Sequence, residues 1–178
     1  MPWQSRFLTR GTWISLTLVF ILMACASPSL IDTATAHLGE RTKTSGCRAN
    51  GPLPDSGCTP GAIISTATRE QICQSGYAKN VRNVPTQVKD EAYAEYSVQS
   101  RLLGEYEVDH LIPLELGGSN EITNLWPEPA NPRPGFHEKD QVENYLHDQV
   151  CSQAITLDQA QNDIASGWIN VYNQMQKK

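Results

Sequence analysis

The stretch EYEVDHLIPLELGGSNEITNLWPEPANPRPGFHEKD, Glu105–Asp140, decides how the chain folds. Tyr106 and Val108, followed by Leu111 to Leu114, form a β-favouring run. Gly117 to Asn120 supply turn residues and Ile122 to Trp126 make a second short run, so the segment predicts a β-ribbon. Pro127, Pro129, Pro132 and Pro134 then oppose regular structure until about Phe136, because proline lacks the amide hydrogen that a ladder or helix uses. Beyond them Val142, Tyr145, Leu146 and Val150 recur at helical spacing, which predicts a helix beginning near His137. The expected class is α+β.

Further helices flank this unit. Val88, Ala92 and Tyr96 recur at a spacing of four and Pro85 suits an early helical position, predicting a helix over about 86–96. Leu157, Ala160, Ile164, Trp168, Val171 and Tyr172 form one apolar stripe behind Thr156 and Gln159, which have capping-box spacing. Trp168 in such a stripe reads as core. No internal repeat is visible.

The N-terminus has a different character. Arg6 and Arg10 precede an apolar run, Trp13 to Ala24, that gives way to Ser, Pro, Thr and Ala. This is the pattern of an export signal. Leu22-Met23-Ala24-Cys25 is similar to the lipobox of bacterial lipoproteins, with Cys25 as the residue lipidated; the small residues Ala24 and Ala26, or Ala34 and Ala36, suit ordinary cleavage instead. An uncleaved anchor ranks last, since the run is shorter than the roughly 20 residues that span a bilayer. The expected organisation is a signal over 1–24, a flexible tether over 25–45, and one domain over 46–178 with its core motif in 105–150.

Export places the remaining cysteines, Cys47, Cys58, Cys73 and Cys151, where thiols oxidise. Four cysteines allow three connectivities; pairing Cys47 with Cys58 and Cys73 with Cys151 is the least tangled. No Cys-x-x-Cys pair offers a structural zinc knot. The formal charge of −5 becomes −7 without residues 1–24, which hold two arginines and no acids. Broad electrostatic adhesion to nucleic acid is thereby excluded, and any phosphate contact must be local.

Hydrolysing a phosphodiester needs a general base, a divalent cation and support for negative charge. His110 is near neutral in its unperturbed state and can take a proton from water; Asp109 offers oxygen to Mg²⁺ or Mn²⁺. Adjacent residues of a flat strand point to opposite faces, so a bend is expected between Asp109 and His110. Asn124, Asn131, His137, Lys139 and Arg133 complete the polar set. Lys139 or Arg133 can hold a phosphate or be an ordinary surface cation. His37 falls in the tether, His147 reads as surface, and Glu115 as an outlying acid.

In its Asp-His, Pro, Gly-Gly, Asn-Leu and closing His or Asn, Glu105–Asp140 resembles the HNH endonucleases. GYAKNVRNVP upstream, with KDQVENYLHDQVC and AQNDIASGW downstream, is similar to an exported bacterial subgroup. The resemblance implies a ββα-metal motif and one divalent ion, Mg²⁺ or Mn²⁺, with Zn²⁺ and Ni²⁺ as alternatives. It implies that Asp109 is a metal ligand, that His110 activates water, and that Asn124 ties the two ribbon arms together. His137, at the helix start, is preferred over Asn131 as the closing ligand. The implied activity is an exported endonuclease acting on DNA, with RNA as an alternative substrate. The competing expectation is a non-catalytic envelope lipoprotein using the same fold for binding. The membrane enters only through a lipid at Cys25, and no protein partner is implied.

Overall fold

The computed structural model describes Met1 and residues 35–177. The expected signal and the Cys25 lipidation site lie outside the described residues. The architecture is mixed α and β. In chain order it comprises β1 (Thr35–His37), β2 (Ala62–Ile64), α1 (Arg69–Ile72), α2 (Tyr77–Val81), α3 (Thr86–Glu95), β3 (Tyr106–His110), β4 (Leu125–Pro129), α4 (Phe136–Cys151) and α5 (Leu157–Met175). Single 3-10 turns occupy Leu114–Leu116 and Ile122–Asn124. Among the described residues no helix is long and apolar enough to cross a membrane.

The ribbon is β3 against β4, antiparallel, in a register that runs from Tyr106↔Pro129 to His110↔Leu125. Both arms differ from expectation. Leu111–Leu114 leaves the ladder, and Ile122–Asn124 forms a 3-10 turn before β4 begins. Pro127 and Pro129, expected to exclude a strand, sit within one. The hydrogen bonds beyond the two ends of the ladder explain why. Leu111 N donates to Asn124 O (2.8 Å), and Ala130 N to Glu105 O (3.0 Å). The alternation between these ends puts the backbone of residues 126 and 128 towards β3 and that of 127 and 129 away from it. Each proline therefore sits where no ladder donor is needed.

The Gly117-Gly118 turn is built into the fold by contact as well as conformation. Gly117 has φ +76, in the left-handed region, and a Cβ on Gly118 would stand 1.8 Å from Ile112 O. That close approach lets β2 dock along the loop: Ile64 N donates to Gly117 O (2.8 Å) and Ser119 N to Ala62 O (2.9 Å).

Helices α4 and α5 enclose the core with Ile72, Ile112, Leu116, Val142, Leu146, Val150, Ala160, Ile164 and Trp168. Trp168 is fully buried, and its Nε1 donates to Pro52 O (3.1 Å), so the ring packs without stranding its polar atom. The predicted apolar stripe is present, but α5 breaks helical geometry at Gly167. Thr156 caps its start by accepting from Gln159 N (3.1 Å).

Cys47 pairs with Cys58 and Cys73 with Cys151, the least tangled arrangement. The first disulfide closes a loop of turns, and the second ties α1 to the end of α4. The stretch expected to be a tether, 25–45, is folded from Thr35 onward: β1 pairs with β2, and Thr42 N and Lys43 N both donate to Gly57 O (2.8 and 2.9 Å). Arg41 donates to Cys58 O (3.1 Å) and forms an ion pair with the buried Glu95. Backbone pairing and a buried charge partner fasten a segment whose composition predicts none.

Candidate functional site

His110 ends β3 and is 2 % exposed. Its Nε2 lies 3.3 Å from Asn120 Oδ1. Two further bonds set the orientation of that amide: Asn120 Nδ2 donates to Val81 O (2.8 Å), and Asn83 N donates to Asn120 Oδ1 (3.1 Å). An amide oxygen only accepts, so the neutral ring carries its hydrogen on Nε2 and presents the lone pair of Nδ1. Burial is the main force lowering the imidazole pKa. The Asp109 charge and the Asn120 bond oppose it, Arg82 and Lys139 add to it, and the result is about 4. His110 is thus a neutral acceptor through the physiological range.

Asn124 is completely buried and joins the two ends of the loop. Its Oδ1 accepts from Ile112 N (3.0 Å), while Nδ2 donates to Ile112 O (2.9 Å) and Ser119 O (2.9 Å). The side chain substitutes for ladder pairing where β3 turns away, and so fixes the exit from His110 to the Gly-Gly turn.

The bend expected between Asp109 and His110 falls later. Pairing continues through both residues, so their side chains leave the ribbon on opposite faces, and the chain turns only after His110. Asp109 is directed to α4, where its Oδ2 accepts from Lys139 Nζ (2.6 Å). Lys139 is fully buried, unlike the solvated cation that sequence allows. Its ammonium also donates to His110 O (2.8 Å) and pairs with Glu143. All three of its donors are therefore committed, and it is not free to hold a phosphate in this arrangement.

Charge balance accounts for the titration of this cluster. Burial works against the Lys139 ammonium, but Asp109, Glu143 and Glu128 outweigh it and hold its pKa well above the ordinary value. Burial likewise opposes ionised Asp109, yet the Lys139 charge and hydrogen bond bring its pKa below the usual carboxylate range. One cation does not satisfy all the neighbouring acids. Burial pushes Glu143 up to about 8 and Glu128 well above the carboxylate range, against the pull of Lys139. No donor reaches either carboxylate oxygen of Glu128 among the described residues, and in its protonated form the group is itself the donor to Asp109.

The other anticipated residues lie at the margins. His137 is exposed at the start of α4, its ring 4.2 Å from that of Phe136. Asn131 is exposed and lines a cavity of about 310 Å³ with Arg48, Tyr96, Tyr106 and Pro127. Arg133 is 72 % exposed, with Nε 3.6 Å from Glu138 Oε1. Among the described residues neither His137 nor Asn131 is hydrogen-bonded to Asp109 or His110. Asn120, Glu128 and Glu143 were not singled out from sequence. The signal for Asn120 was its place directly after Gly-Gly-Ser, where it reads as a turn residue.

A divalent ion fits these residues in part. Mg²⁺ needs only one or two protein carboxylates when phosphate and water complete its shell, and Asp109 is the oxygen donor adjacent to His110 in sequence, but it leaves the opposite face of the ribbon and one of its oxygens is held by Lys139. Among the described residues, the trio of His, Cys, Asp or Glu side chains with ligand atoms within 4.8 Å of one another is Cys73, His147 and Cys151. Those sulfurs are joined in the disulfide, and without thiolates the trio is no metal site. His147 instead lies 3.1 Å from Ile72 O through Nε2. No protein-family model, no curated protein and no solved structure matches the chain.

Proposed function

We propose that the protein is an exported, metal-dependent endonuclease of the HNH kind, hydrolysing phosphodiester bonds of DNA or RNA. The observation that carries this reading is the state of His110. It is neutral, with Nε2 turned to Asn120 and no hydrogen-bond partner for Nδ1 among the described residues. A general base for water needs that combination of protonation state and orientation.

The remaining residues support the same chemistry. Asn120 holds the imidazole in one tautomer, and Asn124 fixes the loop on which His110 sits. Lys139 steadies Asp109 and the His110 carbonyl together. The ribbon β3–β4 followed by α4 is the arrangement a ββα-metal motif would have. Asp109 is the proposed metal ligand, His137 the preferred second one and Asn131 its alternative; Arg133 is free enough to meet a phosphate. Mg²⁺ or Mn²⁺, with Zn²⁺ or Ni²⁺ as alternatives, would neutralise the phosphate and the leaving oxygen. His110 takes the proton from water as its oxygen attacks phosphorus; the P–O bond to the leaving group breaks, and the departing oxygen is protonated from solvent. The two disulfides accord with export into an oxidising compartment.

One observation favours a second reading, an envelope protein that binds without catalysis. The Asp109 charge is already matched by Lys139, so the fold does not need a metal to settle it. Incubating the chain with supercoiled plasmid, single-stranded DNA and RNA in Mg²⁺ or Mn²⁺, with and without a chelator, separates the two. Chelator-sensitive cleavage is expected. Intact substrates under every metal would sustain the binding module and overturn the hydrolase.

A further inference from the structure

Arg82 and Lys89 border one cavity of about 290 Å³ together with Tyr93, Tyr106, Glu107 and Val108. In a chain of net negative charge, six described cations are matched by an acid: Arg41 with Glu95, Lys43 with Asp55, Arg69 with Glu70, Arg101 with Asp90, Arg133 with Glu138 and Lys139 with Asp109. Arg82 and Lys89 are in no ion pair among the described residues. Two unmatched cations at one cavity wall form the local positive site that a nucleic-acid substrate of an acidic protein requires.

The lining of the cavity approaches His110 along the chain. Val108 is two residues before it on β3, and Arg82 directly follows Val81, whose carbonyl anchors Asn120. The two tyrosines add a different kind of contact. Arg101 lies 4.3 Å above the Tyr93 ring, and it is not part of the cavity lining, so that ring carries a cation on one face and meets the cavity with another part of its surface. Aromatic rings beside cations are the elements with which proteins hold unstacked bases and track a single-strand backbone. A duplex keeps its base faces stacked and has no use for the tyrosines.

We propose that this cavity is a nucleotide subsite for single-stranded nucleic acid, with a base against Tyr93 and Tyr106 and its phosphate on Arg82 and Lys89. Glu107, the acid in the lining, repels phosphate and is suited to accept from the exocyclic amine of a base. The subsite rests on the nuclease reading and supplies its substrate: a strand threaded past α3 reaches the residue that attacks it.

The test is fluorescence anisotropy of the full chain with a labelled single-stranded hexanucleotide in chelator, where no hydrolysis occurs, over a series of salt concentrations. The single strand is expected to bind more tightly than a duplex of the same sequence. Arg82→Ala with Lys89→Ala should weaken binding and reduce the slope of log affinity against log salt by about 0.7, one phosphate's worth for a single strand. Tyr93→Leu should weaken binding by about 5- to 150-fold with an unchanged slope. Equal binding of duplex, or wild-type slope and affinity in the double variant with an unchanged thermal melt, would overturn the subsite. Binding as expected without cleavage in Mg²⁺ or Mn²⁺ would sink the hydrolase alone. Cleavage with an unaltered KM in the double variant would sink the subsite alone.

Discussion

Asn120 Oδ1 lies 3.3 Å from His110 Nε2 and accepts from Asn83 N, while Asn120 Nδ2 donates to Val81 O, so the end of α2 and the residues just after it set the tautomer of a histidine on β3. Replacing Asn120 by Ala should release the ring. A hydrogen bond of ordinary net strength corresponds to up to about a tenfold change, so kcat should fall about tenfold with little effect on KM. The nitrogen-15 NMR shifts of the imidazole should move from the Nε2–H form towards a mixture of tautomers. An unchanged imidazole spectrum in Asn120→Ala would show that Asn120 has no hold on the ring.

Asn124 makes its bonds where no water reaches. Asn124→Ala strands Ile112 N and the carbonyls of Ile112 and Ser119, and should destabilise the fold by about 2–4 kcal/mol. Urea unfolding measures this directly. A loss of less than about 0.5 kcal/mol, within the range of an ordinary surface change, would mean that the loop does not depend on Asn124.

Lys139 is expected to matter more for stability than any exposed cation of the chain. Lys139→Met leaves the Asp109 carboxylate buried beside Glu128 and Glu143 with no counter-charge, a change that costs about 3–5 kcal/mol near neutral pH. The pH dependence has a definite sign. In the native chain the lowered Asp109 pKa contributes stability above the unfolded value of 3.8, lost as pH falls through the folded value. In the variant, Asp109 loses the cation that lowers its pKa, and burial raises it instead. The folded state then binds protons more readily than the unfolded one, so the deficit should shrink as pH falls from 7 towards 4. Thermal melts of both proteins across that range test it; a deficit that grows on acidification would refute the charge assignment.

The two disulfides should contribute unequally. Cys73–Cys151 closes a separation of 78 residues and Cys47–Cys58 one of 11, so loop entropy assigns about 4.5 kcal/mol to the first and about 3 to the second. Differential scanning calorimetry of the paired Cys→Ser variants should show the larger fall in Tm for Cys73 and Cys151. The reverse order would place the tension in the short loop.

The helices were legible because an apolar stripe needs no partner to declare itself: Val88 and Ala92 predict α3, and Val142, Leu146 and Val150 predict α4. Cysteine order leaves three connectivities open, and the fold adopts the least tangled of them. Features that depend on what lies across the fold were hidden. Pro127 and Pro129 look like strand breakers until the register turns them away from β3. Arg41 looks like tether until it meets Glu95. At the site, Asp109, His110 and Asn124 stand out through the resemblance to the HNH pattern, whereas Lys139 does not suggest burial, since lysine is almost never fully buried unless paired, and its partner Asp109 lies 30 residues away in sequence. Asn120 read as a turn because only the position of α2 gives its amide a task.

The central claim is that His110 is the base that activates water. Single-turnover cleavage of a labelled oligonucleotide in Mn²⁺, with native protein and with His110→Ala of matched thermal stability, tests it most directly. Removal of a general base is expected to reduce the rate by about 10²- to 10⁴-fold while substrate binding in chelator is retained. Cleavage by His110→Ala at the native rate would contradict the assignment.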